Sequence, residues 1–153
     1  MKSIVKPFVA AALVALGLLA WRAQTARDIV AAQTRKPIVV TRIYTGPDGQ
    51  SRAEEVELKM TAAGLSDMMK ATGVQFSSRP AAPASDWHTG PARQFVITLS
   101  GRAELEVGDG RKVAVGPGHI NLIEDTTGKG HITRNVEDRI VVTIPLADNI
   151  VVR

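Results

Sequence analysis

The chain contains no cysteine among its 153 residues. Thiol redox chemistry, disulfide staples and a lipid anchor on cysteine are thereby excluded, and an exported form would rest on packing alone. Aromatic residues are scarce: past the first 26 positions they are Tyr44, Phe76, Trp87 and Phe95. That is too few for a platform on which nucleic-acid bases stack. Excess charge is equally thin. The formal net charge is +4, but Lys2, Lys6 and Arg22 lie within the first 26 residues, where there is no acid. Without them 16 basic residues face 15 acidic ones, a net of +1. A nearly neutral domain lacks the long-range field that phosphate backbones reward, so nucleic acid is not an expected partner. Long apolar runs are missing as well. The run Phe8–Ala20 spans 13 residues, short of the roughly 20 that a bilayer-crossing helix needs.

That run does follow two lysines, which is the pattern of a signal peptide. Ala20, Ala23 and Ala26 offer small residues for cleavage, whereas Trp21 and Arg22 would equally hold an uncleaved helix at the interface. The expected organisation is a signal peptide or membrane anchor over 1–26, a polar, Ala-rich spacer over 27–37, and one folded domain over 38–153. Export to the periplasm or beyond is expected, with membrane contact only through the N-terminal segment. About 125–130 residues remain to fold, enough for one core.

The folded part reads as all-β. Residues 38–44 are rich in β-formers, and Gly46-Pro-Asp-Gly49 marks a turn. In 53–60, Val56, Leu58 and Met60 alternate with Glu55, Glu57 and Lys59, a period of two that predicts a half-buried strand. Residues 62–70 allow one or two helical turns. Further strands are predicted over 74–78, 94–99, 103–107, 111–115, 119–123, 131–135 and 139–144. A Pro/Ala-rich loop is predicted over 79–84. Turns at Ser100-Gly101, Gly108-Asp-Gly110 and Gly116-Pro-Gly118 punctuate them. Short strands at spacings of about 8–12 residues predict an antiparallel sandwich or barrel.

Two stretches carry candidate chemistry. The first is Trp87-His-Thr-Gly-Pro-Ala-Arg-Gln94, closed by Gly101; the second is Glu124-Asp-Thr-Thr-Gly-Lys-Gly-His131, followed by Asn135. Their spacing resembles the paired motifs of the cupins, and, with Thr41–Gly49, a group of small single-domain bacterial cupins. The resemblance spans about 38–146. It implies a cupin-type antiparallel jelly-roll β-barrel, commonly a homodimer, with a cavity at the barrel mouth. It aligns His88 with the first histidine of the family's metal site, Gln94 with its glutamate and His131 with its last histidine, while Gly90 takes the place of the second histidine. The set implied here is therefore His88, His131 and Gln94 around a divalent ion (Fe, Mn, Zn or Ni). Trp87, Asn135, Glu124 and Asp125 are the further pocket candidates.

Two imidazoles and a neutral amide make a weaker donor set than the family's own. Three functions therefore stay open: a divalent-metal enzyme acting on a small polar molecule, a metal-free pocket for a small-molecule ligand, and a structural envelope module. His119, beside Pro117-Gly118, is expected to be an exposed turn residue, and Arg93 to point outward. Residues 38–44 and 150–152 are the expected sheet edges for dimerisation. Neither a Ser-His-Asp spacing nor a nucleophile elbow is present.

Overall fold

A computed structural model describes Trp21, Arg22, Gln24 and residues 36–147. Apart from Trp21, Arg22 and Gln24, which are helical, the expected leader lies outside the described residues, as do most of the spacer and the C-terminal stretch 150–152. The chain divides into two compact units: Met1–Lys36 with Met60–Asp67, and Pro37–Lys59 with Met68–Arg153. In the smaller one, Met60 bridges Ser66 and the Thr61 amide donates to the Leu65 carbonyl at 2.8 Å. The helical turns expected over 62–70 do not form; those residues are a turn, a bend, one isolated bridge and irregular chain. A helix that short has little intrinsic stability, so local propensity decides nothing there.

The larger unit is all-β. Its strands are β1 (Val39–Thr45), β2 (Ser51–Glu57), β3 (Gln75–Arg79), β4 (Gln94–Ser100), β5 (Ala103–Glu106), β6 (Lys112–Val115), β7 (Ile120–Glu124), β8 (Ile132–Asn135) and β9 (Arg139–Pro145). They form a six-stranded sheet, ordered β2-β1-β7-β4-β9-β3, and a three-stranded sheet, ordered β6-β5-β8. Two facing sheets are the arrangement that jelly rolls use. One pairing departs from the antiparallel expectation: β1 runs parallel to β7, with Thr41 to Tyr44 beside Asn121 to Glu124. Parallel neighbours need a long crossover, and here five strands intervene. The same pairing corrects the expectation that β1 is an edge. It lies inside the sheet, and β2 and β3 are the edges.

The core explains why the strands read as they do. Ile43, Val96, Ile123 and Val141 of the large sheet meet Ala103, Leu105, Val113 and Val115 of the small one. The opposite face of the large sheet is also covered, by a second cluster of Val40, Phe95, Leu122 and Leu146 with Val56, Leu58 and Met69 against it. β4, β7 and β9 therefore each carry three consecutive buried residues, the pattern of strands buried on both faces. β6 alternates exposed and buried, as a strand buried on one face must. The edge of β8 is closed by the segment before β4. Ala82, Ser85 and His88 donate their amides to the carbonyls of Asn135, Thr133 and His131 at 2.9–3.0 Å.

Candidate functional site

That closing segment brings His88 to His131. The two exchange both backbone hydrogen bonds, at 3.0 and 2.9 Å, and their ring centroids are 4.7 Å apart. So close an approach needs Gly130, which sits at φ 74° and whose missing side chain would run into the His88 carbonyl. His131 is buried, and its Nδ1 lies 2.6 Å from Asp125 Oδ2, which is fully buried. His88 is exposed, with Nδ1 2.9 Å from the Asp86 carbonyl and 3.2 Å from Ser85 Oγ. Each imidazole is thus oriented through Nδ1, leaving Nε2 as the ring atom for another partner.

His88, Gln94 and His131 line one cavity of about 290 Å³ between the sheets. Strand parity builds its floor: Gln94 and Val96 of β4, Asn121 and Ile123 of β7, and Thr143 of β9 share a face. Leu105 of β5 and Thr133 of β8 face them. The remaining wall comes from β3 and β9, which contribute Arg79 and Arg139. These two stand directly opposite each other in the antiparallel ladder. Arg139 is 2% exposed and its Nε has no hydrogen-bond partner. Neither arginine forms an ion pair among the described residues, and no carboxylate lines the cavity. Burial, and then the charge of Arg79, push Arg139 down to about 10; burial also lowers Arg79.

The other predicted residues lie elsewhere. Glu124 does not line the cavity; it is held between Arg42 and Arg93. Burial alone would raise its carboxyl, but the hydrogen bonds and charges of the two arginines outweigh that and lower it. Arg93 thus turns away from the cavity toward Glu124. Asp125 sits behind His131 rather than in the lining. Trp87 packs under Lys129, whose Nζ is 3.7 Å from the ring centroid, a cation–π contact. Asn135 borders a separate shallow groove with residues 81–84. His119 corrects its expectation: it is half-buried, its Nε2 is 3.0 Å from Thr41 Oγ1, and burial lowers its pKa. The parallel β1–β7 pairing, invisible in local sequence, brings that threonine to it.

Whether the residues suit a divalent ion is decided by the donor set. Among the described residues no three His, Cys, Asp or Glu side chains are grouped to hold a metal. Gly90 cannot readily be replaced by the missing histidine, because a Cβ there would meet Ile123 Cγ2 at 2.5 Å. Two guanidiniums in the same lining oppose a cation further. The set fits a metal poorly.

Gln75, Arg79, Asn121 and Arg139 were not singled out by sequence reasoning. One signal existed: Arg139 is in phase with Val141 and Thr143, a charge at an inward position of a strand. Arg79 reads as the start of a Pro/Ala-rich loop until β3 is seen to include it.

No family model and no curated protein matches the chain. Among solved structures it is similar to protein NMB1881 from Neisseria meningitidis, at 18% identity over 52% of this chain and 79% of that one, with a TM-score of 0.40. A conserved Streptococcus pyogenes protein of unknown function, SPY1581, matches at 20% identity over 53% and 69%, with a TM-score of 0.40. A provisionally assigned ethanolamine utilization protein Q from Salmonella typhimurium matches at 14% identity over 76% and 99%, with a TM-score of 0.41. Likenesses of this extent say nothing about what the chain binds or does.

Proposed function

We propose that this is a small cupin-like domain that binds a small polar molecule, without a metal, in the cavity walled by His88, His131 and Gln94. The observation that carries this reading is the cavity itself. It is about 290 Å³, with imidazole, amide, hydroxyl and guanidinium groups set against Val96, Leu105 and Ile123. Small-molecule sites have that mixed character and lower range of size. The three histidines provide the test. His88 and His131 line the cavity and His119 does not, so a bound molecule should shift the first two imidazole NMR resonances and leave the third unmoved. A fragment collection that moves none of them, or all three alike, would sink the proposal.

A second reading, a divalent-metal enzyme using His88, His131 and Gln94, is favoured by one observation. Both Nδ1 atoms are engaged, by a carboxylate and by a backbone carbonyl, the way outer partners orient metal-binding imidazoles. Elemental analysis of untagged full-length protein separates the readings. One equivalent of Fe, Mn, Zn or Ni that disappears in His131→Ala would select the metal. Export and homodimerisation belong to the same proposal. With β1 interior, the pairing edges would be β2 or β3, which sedimentation of edge variants would test.

A further inference from the structure

We infer that the cavity takes a small organic molecule ending in an oxyanion, a carboxylate or a phosphate, clamped between Arg79 and Arg139. The inference rests on the cavity being a binding site and adds the chemical class of its ligand. Three observations converge on it. First, Arg79 and Arg139 are direct cross-strand partners, and both line the cavity. Residues so placed have Cβ atoms about 4.5–5.5 Å apart, and like charges there repel. Second, Arg139 is 2% exposed with an unpartnered Nε, so water does little to offset its charge. Third, no carboxylate lines the cavity, and neither arginine has an ion-pair partner among the described residues. Arginine is unlike a buried lysine in that it does not escape by losing its proton near neutral pH, even when burial has pushed it down to about 10. A buried guanidinium set against a half-buried one, with no counter-ion for either among the described residues, is a site that an anion completes.

The geometry also bears on the rest of the ligand. A guanidinium fork matches the two oxygens of a carboxylate or phosphate in bidentate fashion. At the other end of the β3–β9 ladder, Gln75 stands opposite Thr143, and both line the cavity. Thr143 lies four residue steps along the strand from Arg139, about 13 Å at strand rise. Val96, Leu105 and Ile123 line the cavity as well. An organic acid with a short apolar body and a second polar group would use the arginines, this apolar surface and the Gln75–Thr143 end together.

The test uses the full-length protein, titrated at constant ionic strength with succinate, benzoate and inorganic phosphate, and with succinamide as the uncharged counterpart of succinate. The histidine resonances are the readout. The expected result is saturable binding of at least one anion that shifts His88 and His131 but not His119, with succinamide at least tenfold weaker. Arg139→Gln should weaken that anion at least tenfold, and Arg79→Gln by a smaller factor, with the His119 signal unchanged as the mark of an intact fold. Tighter binding of the organic acids than of inorganic phosphate would support use of the cavity's length. Equal binding of phosphate would support the arginine clamp alone. Binding of succinamide as tight as succinate, or an Arg139→Gln affinity equal to wild type, would overturn the anion class. Cavity shifts caused by succinamide alone would leave the binding site standing and remove only its charge preference. If none of the four probes moves His88 or His131, the anion inference fails, and the cavity reading stands or falls separately with the fragment collection.

Discussion

Two pairs of arginines sit on the six-stranded sheet in opposite circumstances. Arg42 and Arg93 share the carboxylate of Glu124, and Arg42 also reaches Glu54 at 2.7 Å. Burial works to lower Arg42, but its two acidic partners prevail and raise it, while Glu124 is lowered in turn. Arg79 and Arg139 face each other with no acid between them, and both are lowered. The first cluster is finished by the chain itself and ties β1, β7 and the start of β4 together. The second has no counter-ion among the described residues; Arg79 Nε donates only to Ser77 Oγ, at 3.4 Å. Identical side chains are thus ion-paired in one place and left without an acid in the other, and the difference is the presence of a counter-ion.

The largest effect should come from breaking the finished cluster. Glu124→Ala leaves two partly buried guanidiniums without their shared partner and should cost about 2–4 kcal/mol in urea unfolding. A loss below about 0.5 kcal/mol would class the cluster with ordinary surface pairs. The opposite sign is expected in the other pair. Arg139→Met removes a buried, uncompensated charge and should raise the stability of ligand-free protein by about 1–3 kcal/mol. Adding Arg79→Met should then gain less than it does in the wild type, because the repulsion has already been relieved. A destabilised Arg139→Met would mean that the charge is satisfied in the folded state, and the contrast would fail.

Stability against pH should show the same division. Glu124 is lowered on folding, so its contribution is complete above the unfolded carboxyl range and is lost as pH falls through the lower folded value. Glu124→Gln should flatten that acid limb. Arg139 is charged in both states below about pH 10, so its burial penalty is constant there. Above that pH the folded form sheds the proton first, and stability should rise with pH through this group until the unfolded arginine titrates too. Arg139→Met should abolish that alkaline rise; an unchanged alkaline limb would contradict it. The smallest effect belongs outside both pairs. His119→Ala loses the Thr41 contact and should cost about 1 kcal/mol, leaving cavity binding within twofold of wild type. A large binding loss there would show that the cavity's boundaries are drawn wrongly.

Much of the larger unit is legible in the sequence because its determinants are local. The Gly46–Gly49, Gly101 and Gly108–Gly110 turns and the period-two runs delimit strands that the structure contains. The strand expected over 53–60 instead begins at Ser51 and ends at Glu57. Its apolar alternation continues past the point where β1 ceases to pair with it at Val39. Of the candidate site, His88, His131 and Gln94 were legible through the resemblance to the cupin motifs, and they line one cavity. Asn135, Trp87, Glu124 and Asp125 were legible as neighbours in sequence, but their side chains serve a groove, a lysine, two arginines and a histidine instead. Adjacent strand residues point to opposite faces, so Glu124 meets Arg42 and Arg93 while Asp125 passes behind His131.

What the sequence by itself determined is the class of this domain: short strands, tight turns, no cysteine chemistry, and a nearly even balance of acidic and basic residues. Periodicity and composition act within a few residues of each position, so they can be read without knowing what lies across the sheet. Only the tertiary structure decided that β1 lies beside β7, that His119 is half-buried, and that Arg79 meets Arg139. Each of these depends on pairing between segments tens of residues apart. Register there follows from how two buried faces fit, and a guanidinium becomes an unpaired charge only once the fold has set which groups stand around it.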